Sequence, residues 1–198
     1  MKRAAALAAL VSVALACGSE LPARYVIERD LGAFRYRRYQ KTLGAELEVA
    51  GNPAQGHTAT YLQRGRAGVA VATAFVSVYE RAGSLVAETR ERLRGLGRFH
   101  MSVQPFEGQY AWLLDAGPEE RWAVWVSGRH VVKLGAPNGG SFPDEVVVAY
   151  LAMYPSDLDE HGRAQPEASS RGPSVRERDR TEQQDRDVPR HLRENAPR

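Results

Sequence analysis

Val69-Ala70-Val71-Ala72-Thr73-Ala74-Phe75-Val76-Ser77-Val78-Tyr79 is the stretch that decides the fold. β-Branched, small and aromatic residues alternate along it without a charge. It predicts a central strand. Downstream, Leu85, Thr89, Leu93 and Leu96 recur at helical spacing while Glu88, Arg90, Glu91 and Arg94 fall elsewhere. That spacing predicts a helix over 81–94, ended by Gly95 and Gly97. Two hairpins follow: Phe99 to Gln104 with Gln109 to Asp115 across 105–108, and Arg121 to Val126 with His130 to Leu134 across Ser127-Gly128-Arg129. Ser141, Pro143, Asp144 and Glu145 then mark a helix start, with carboxylates where the helix dipole favours them. Val146, Val147, Tyr150, Leu151 and Tyr154 give that helix one apolar face, and Pro155 ends it.

Upstream of the central strand, Tyr25 to Glu28, Phe34 to Gln40, Ala45 to Val49 and His57 to Gln63 are weaker strand candidates. The sum is an α+β domain, a mostly antiparallel sheet with two helices sharing one face; a two-sheet sandwich with peripheral helices is the alternative. Strands followed by a helix occur twice in outline, which leaves a diverged duplication open.

The 198 residues, 43% of them hydrophobic, allow one domain of ordinary size and segments that need not fold. The domain is placed at 24–155. Beyond Pro155, residues 156–198 have no aromatic and few aliphatics, and Pro166, Pro173, Pro189 and Pro197 interrupt dense charge. Such a segment buries too little apolar surface to offset its ordering entropy and reads as a disordered tail. Its nine arginines stand against ten acidic residues, so it is not a nucleic-acid-binding arm. The overall charge of +3 is likewise too small to imply a polyanionic partner.

At the other end, Lys2 and Arg3 precede an apolar run from Ala4 to Ala16, the make-up of an export signal over 1–16. The run is shorter than the roughly 20 residues that span a bilayer. Ala14-Leu15-Ala16-Cys17-Gly18-Ser19 follows at its end, and Cys17 is the only cysteine in the chain. This segment resembles the lipobox of bacterial lipoproteins, departing from it in Ala14, where leucine is most common. The resemblance implies cleavage before Cys17, lipid attachment on Cys17, a tether over 17–23, and a membrane-anchored place in the bacterial cell envelope with membrane lipid as a partner. Ala14-Leu15-Ala16 also suits an ordinary A-x-A site at the same bond, which would leave a soluble periplasmic or secreted protein with a free thiol. A disulfide within one chain is excluded either way.

No motif names a chemistry. His57, His100, His130, His161 and His191 form no metal-binding spacing, and Asp157, Asp159, Glu160 and His161 lack the terminal glutamate of a calcium loop. No serine stands in a nucleophile elbow. The 135–141 stretch before the last helix has glycines but no phosphate-binding lysine. No cofactor is implied. Two groups of residues remain as a possible ligand surface. Arg35-Tyr36-Arg37-Arg38-Tyr39-Gln40-Lys41 interleaves aromatic and basic residues, and regular alternation places Tyr36 and Arg38 on one face, with Arg35, Arg37 and Tyr39 on the other. Such residues suit anionic headgroups, an acidic glycan or an acidic protein, and equally the charged protection of an edge strand; export argues against nucleic acid. Trp112, Trp122 and Trp125 make the second group, a stacking platform if exposed, with Trp122 and Trp125 on opposite faces. The leading expectation is a binding or scaffolding module that contacts another envelope protein or a glycan. The alternative is an envelope hydrolase with histidines and carboxylates gathered from distant segments.

Overall fold

The computed structural model describes residues 21–42, 44–63, 65, 71–117, 120–137 and 141–166. Its elements are β1 (Phe34–Thr42), β2 (Ala54–Gln63), β3 (Val71–Tyr79), α1 (Leu85–Arg94), β4 (His100–Phe106), β5 (Gln109–Asp115), β6 (Arg121–Ser127), β7 (His130–Ala136) and α2 (Asp144–Met153). The strands form one seven-stranded sheet in the order β1-β2-β3-β7-β6-β5-β4. Every neighbouring pair is antiparallel. The antiparallel sheet is as expected, although the molecule is more β-rich than an α+β domain usually is, and the strands do not divide into a sandwich. Two meanders, β1–β3 and β4–β7, meet at the β3–β7 pair, and α1 carries the chain from interior β3 to the far edge.

β3 lies inside the sheet, as its lack of charge requires. Ala72, Ala74 and Val76 are buried on one face, Ser77 and Tyr79 on the other. The hairpin turns follow the glycines. Glu107 and Gly108 both have positive φ, the two-residue geometry that matches strand twist. β4 runs on through Pro105 to Phe106, which an edge strand tolerates because the missing N–H would face outward.

The expectation that the helices share a face is overturned. Cross-strand register places Tyr61, Ala74, Leu134, Ala123 and Trp125 on one face. α2 covers that face, since the Tyr150 hydroxyl meets the Tyr61 hydroxyl at 2.8 Å and Trp125 Nε1 donates to the Tyr154 carbonyl at 2.8 Å. The opposite face carries Ser77, Tyr79, Lys133, Trp122 and Val124. There the 44–49 segment lies across the sheet, with the Glu46 N–H on Ser77 Oγ and the Tyr79 hydroxyl on the Leu47 carbonyl. α1 packs beside that segment and against β6, burying Leu85, Thr89 and Leu93. The physical reason is symmetrical: strands apolar on both faces expose both to water unless each face has its own cover.

Two weak strand candidates are not strands. Tyr25 to Glu28 is turn-like, with Tyr25 at φ 59, and Ala45 to Val49 hands its backbone groups to side chains of β3. The leading segment still packs on the sheet, as Val26 and Ile27 are buried under α2.

The domain also continues past Pro155, so the start of a disordered tail at Ser156 is corrected. Ser156 donates its N–H to Gln109 Oε1 and its hydroxyl to the Tyr110 carbonyl, and the Asp157 N–H bonds the Val126 carbonyl at 2.8 Å. The chain thereby rounds the ends of β5 and β6, buries Leu158 and reaches the second face. At Gly162, with φ +65, an added Cβ would lie 2.5 Å from Trp112 Nε1, so only glycine fits there. Composition averaged over 156–198 hides these few anchoring residues. Residues 167–198 lie outside the described residues, as do the export segment and Cys17.

Candidate functional site

The aromatic-basic stretch is β1, an edge strand, with a register shift between Tyr36 and Arg38. The bulge changes which residues share a face. Tyr36 stands opposite Tyr61, and Tyr39 opposite Ala59, so both tyrosines turn toward the α2 side, which corrects the regular alternation. There they hold the leading segment: the Tyr36 hydroxyl donates to Glu28 Oε2 at 3.2 Å, the Tyr36 N–H to Asp30 Oδ1 at 2.9 Å, and Arg24 lies 5.0 Å over the Tyr39 ring. Glu28 also pairs with Arg24 at 3.2 Å. Beside these engaged acids, Arg29, Arg35, Arg37, Arg38 and Lys41 are exposed, and among the described residues none of them has an ion-pair partner. β1 itself carries Arg35, Arg37, Arg38 and Lys41 and no carboxylate. At the opposite edge, β4 has no Lys, Arg, Asp or Glu.

The tryptophans offer no platform. Trp112 and Trp125 are 0% exposed and Trp122 is 4% exposed. Trp122 and Trp125 do point to opposite faces, and both faces are covered, so indoles that would stack a ligand are spent on the core. Trp122 donates Nε1 to Glu120 Oε1 at 3.2 Å, with Lys133 Nζ 4.2 Å over its ring.

The histidines separate by environment. His57 and His130 are buried on the α2 face, bridged by the Tyr25 ring at 4.8 Å and 5.9 Å, with Tyr154 5.1 Å from His130. His57 Nδ1 meets the Tyr39 hydroxyl at 2.9 Å, while its buried Nε2 has no hydrogen-bond partner among the described residues. The Tyr154 hydroxyl donates to the Tyr25 carbonyl at 2.8 Å, which holds Tyr25 in its left-handed conformation over both rings. Sequence reading missed this array because its members come from the leading segment, β1, β2, β7 and the end of α2. His100 is exposed on β4 opposite Asp115, whose carboxylate lies 3.3 Å from Arg121 Nε.

Burial, helped by the charge of Lys41 across the strand pair, pushes His57 below its ordinary value of 6.5. The folded ring therefore stays neutral where the unfolded chain already takes up a proton. Stability from this group is complete above about pH 6.5 and is lost as pH falls below it. Melting temperature should fall between about pH 7 and 5.5, more steeply in the wild type than in His57→Phe. Parallel profiles would show that His57 does not carry the effect. The groups facing it are Tyr39 and Lys41 of β1 and Tyr25 of the leading segment, with His130 of β7 across the Tyr25 ring.

A shallow cavity of about 310 Å³ lies between α1 and the 44–49 segment, lined by Ala45, Glu46, Leu47, Glu48, Arg92, Gly95 and Leu96. Glu46 is already paired with Lys133 at 2.6 Å. Asp157 accepts the Gly128 N–H at 2.5 Å and Asp159 accepts those of His161 and Arg163, so these carboxylates organise backbone. No group of three or more metal-capable side chains occurs among the described residues, and no helix among them is long and apolar enough to cross a membrane. The glycine-rich loop before α2 lies partly outside the described residues.

No family model, curated protein or solved structure matches the chain.

Proposed function

We propose that this chain is a membrane-anchored lipoprotein of the bacterial envelope whose domain is a binding or scaffolding module, with the basic edge of β1 as its contact surface. The observation that carries the reading is the row of unpaired cations along β1, exposed beside the leading segment through which an anchored chain would enter the domain. Protecting an edge from pairing requires charges but not charges of one sign, and the β4 edge manages with Pro105 and no full charge. A row of one sign carries mutual repulsion, damped by salt, that a partner of opposite charge relieves.

Two measurements test the proposal. Tagged protein purified from native membranes should bring down an envelope component, released by neutralising Arg35, Arg37 and Arg38; recovery of the protein alone counts against the module. Separately, the native protein should partition into the detergent phase, and a chain made from residue 17 with Cys17→Ser, without the export segment, into the aqueous phase, because the acyl chains contribute about 0.8 kcal/mol per buried CH₂. A wild type already wholly aqueous after processing overturns the lipid anchor and leaves the soluble reading of the same cleavage.

A further inference from the structure

We infer that the β1 edge docks edge-on against anionic phospholipid headgroups of the membrane that carries the chain. The inference rests on the lipoprotein reading for its tether, and on the structure for its charge. Along a strand, side chains divide between the two faces of the sheet, so Arg35 and Arg38 leave toward the α1 face and Lys41 toward the α2 face. For a ligand sitting on one face this divides the patch. For a plane that meets the strand edge-on it does not, because long arginine and lysine side chains from both faces reach the same plane. The bulge at Arg37 adds a further cation at that edge, and Arg29 of the leading segment lies beside it. Nearby carboxylates offset the row only in part: Glu28 is paired with Arg24, while Asp30, which accepts the Tyr36 N–H, keeps its charge beside Arg29, so the excess is carried by Arg35, Arg37, Arg38 and Lys41 of β1.

The tether decides the occupant. Three residues lie between Cys17 and Leu21, and the four steps of extended chain span at most about 3.6 Å each, so the bilayer surface lies within roughly 15 Å of the start of the described domain. Residues 24–30 pack directly on Tyr36 and Tyr39 of β1. The basic edge is therefore the part of the sheet closest along the chain to the anchor. Tethering raises the effective concentration of headgroups so far that weak contacts suffice. Docked this way, the domain stands with β1 down and the uncharged β4 edge pointing away from the membrane.

The test uses the chain made from residue 17 with Cys17→Ser, without the export segment, so that neither acyl group nor apolar leader contributes, with vesicles of phosphatidylcholine alone or with about a third phosphatidylglycerol. Binding to the anionic vesicles, little binding to the neutral ones, and release near 1 M salt, where the screening length is about 3 Å, are expected. Each basic residue near such a surface contributes about 1 kcal/mol, roughly fivefold in partitioning, so Arg35→Gln with Arg37→Gln and Arg38→Gln should lose about a hundredfold. The same charge removed as Arg92→Gln, Arg94→Gln and Arg163→Gln should lose far less, which separates the edge from net charge. Both triple variants replace exposed residues, and equal melting temperatures verify that they fold. Equal binding to neutral and anionic vesicles, or equal losses in the two variants, overturns the inference. Retention on an acidic glycan without vesicle binding also overturns it, in favour of a glycan. Detergent partitioning of the wild type is read separately, so a failed anchor and a failed headgroup contact give different results.

Discussion

Trp125→Ala is expected to destabilise the domain by about 3–5 kcal/mol, the range for deleting a large buried aromatic. Trp125 is 0% exposed on β6 beneath α2, and its Nε1 donates to the Tyr154 carbonyl at 2.8 Å. Two losses therefore add. The indole leaves a cavity between sheet and helix, and the carbonyl just past the last turn of α2 loses its donor at a point where helix carbonyls have no partner in the helix. Trp125→Phe separates them, because it keeps most of the ring and removes the donor, and should cost about 1–3 kcal/mol. Domains of this size are stable by about 5–15 kcal/mol, so the alanine variant should show a much lower denaturant midpoint and an earlier thermal transition. An alanine variant within about 1 kcal/mol of wild type would show that α2 does not depend on this contact.

The elements were legible where a short-range pattern carried them. β3 announced itself by charge-free alternation, α1 by Leu85, Thr89 and Leu93, and α2 by five apolar residues that are all buried. What was not legible depends on neighbours far away in sequence. Which face a helix covers follows from the path of the connection, and the 44–49 segment reads as a strand until Ser77 and Tyr79 take its backbone groups. The bulge in β1 leaves no mark in Arg35-Tyr36-Arg37-Arg38-Tyr39, yet it decides that Tyr36 and Tyr39 share a face. Of the site candidates, the basic stretch lies where edge-strand chemistry suggested. The tryptophans were ambiguous because an indole serves a core and a ligand surface equally well, and only the covers supplied by α2, α1 and the 156–166 segment resolve that.

The second large effect is expected where the leading segment is locked to the sheet. The Ile27 N–H donates to the Tyr150 hydroxyl at 3.1 Å, the Tyr61 hydroxyl donates to the Ile27 carbonyl at 2.6 Å, and the two hydroxyls meet at 2.8 Å. Only one assignment satisfies all three contacts. With the Tyr61 proton committed to Ile27, Tyr150 must donate to Tyr61, so the bonds run head to tail in a closed ring. Both tyrosines are fully buried, and burial pushes the Tyr150 phenol up to about 12 and that of Tyr61 higher still, so the ring stays intact across the neutral range. Tyr61→Phe strands the Ile27 carbonyl and leaves Tyr150 without an acceptor, while Tyr150→Phe strands the Ile27 N–H and removes the donor to Tyr61. Each should cost about 1–3 kcal/mol, since a buried polar group loses its partner in either case. The double variant should cost less than the sum, because once one hydroxyl is gone the bond between the pair has already been lost. Urea midpoints of the two single variants and the double variant, closed as a cycle, read that coupling, and amide exchange at Ile27 should quicken in all three. Strict additivity would show that the two hydroxyls act independently, and that the leading segment is held by the burial of Val26 and Ile27 instead.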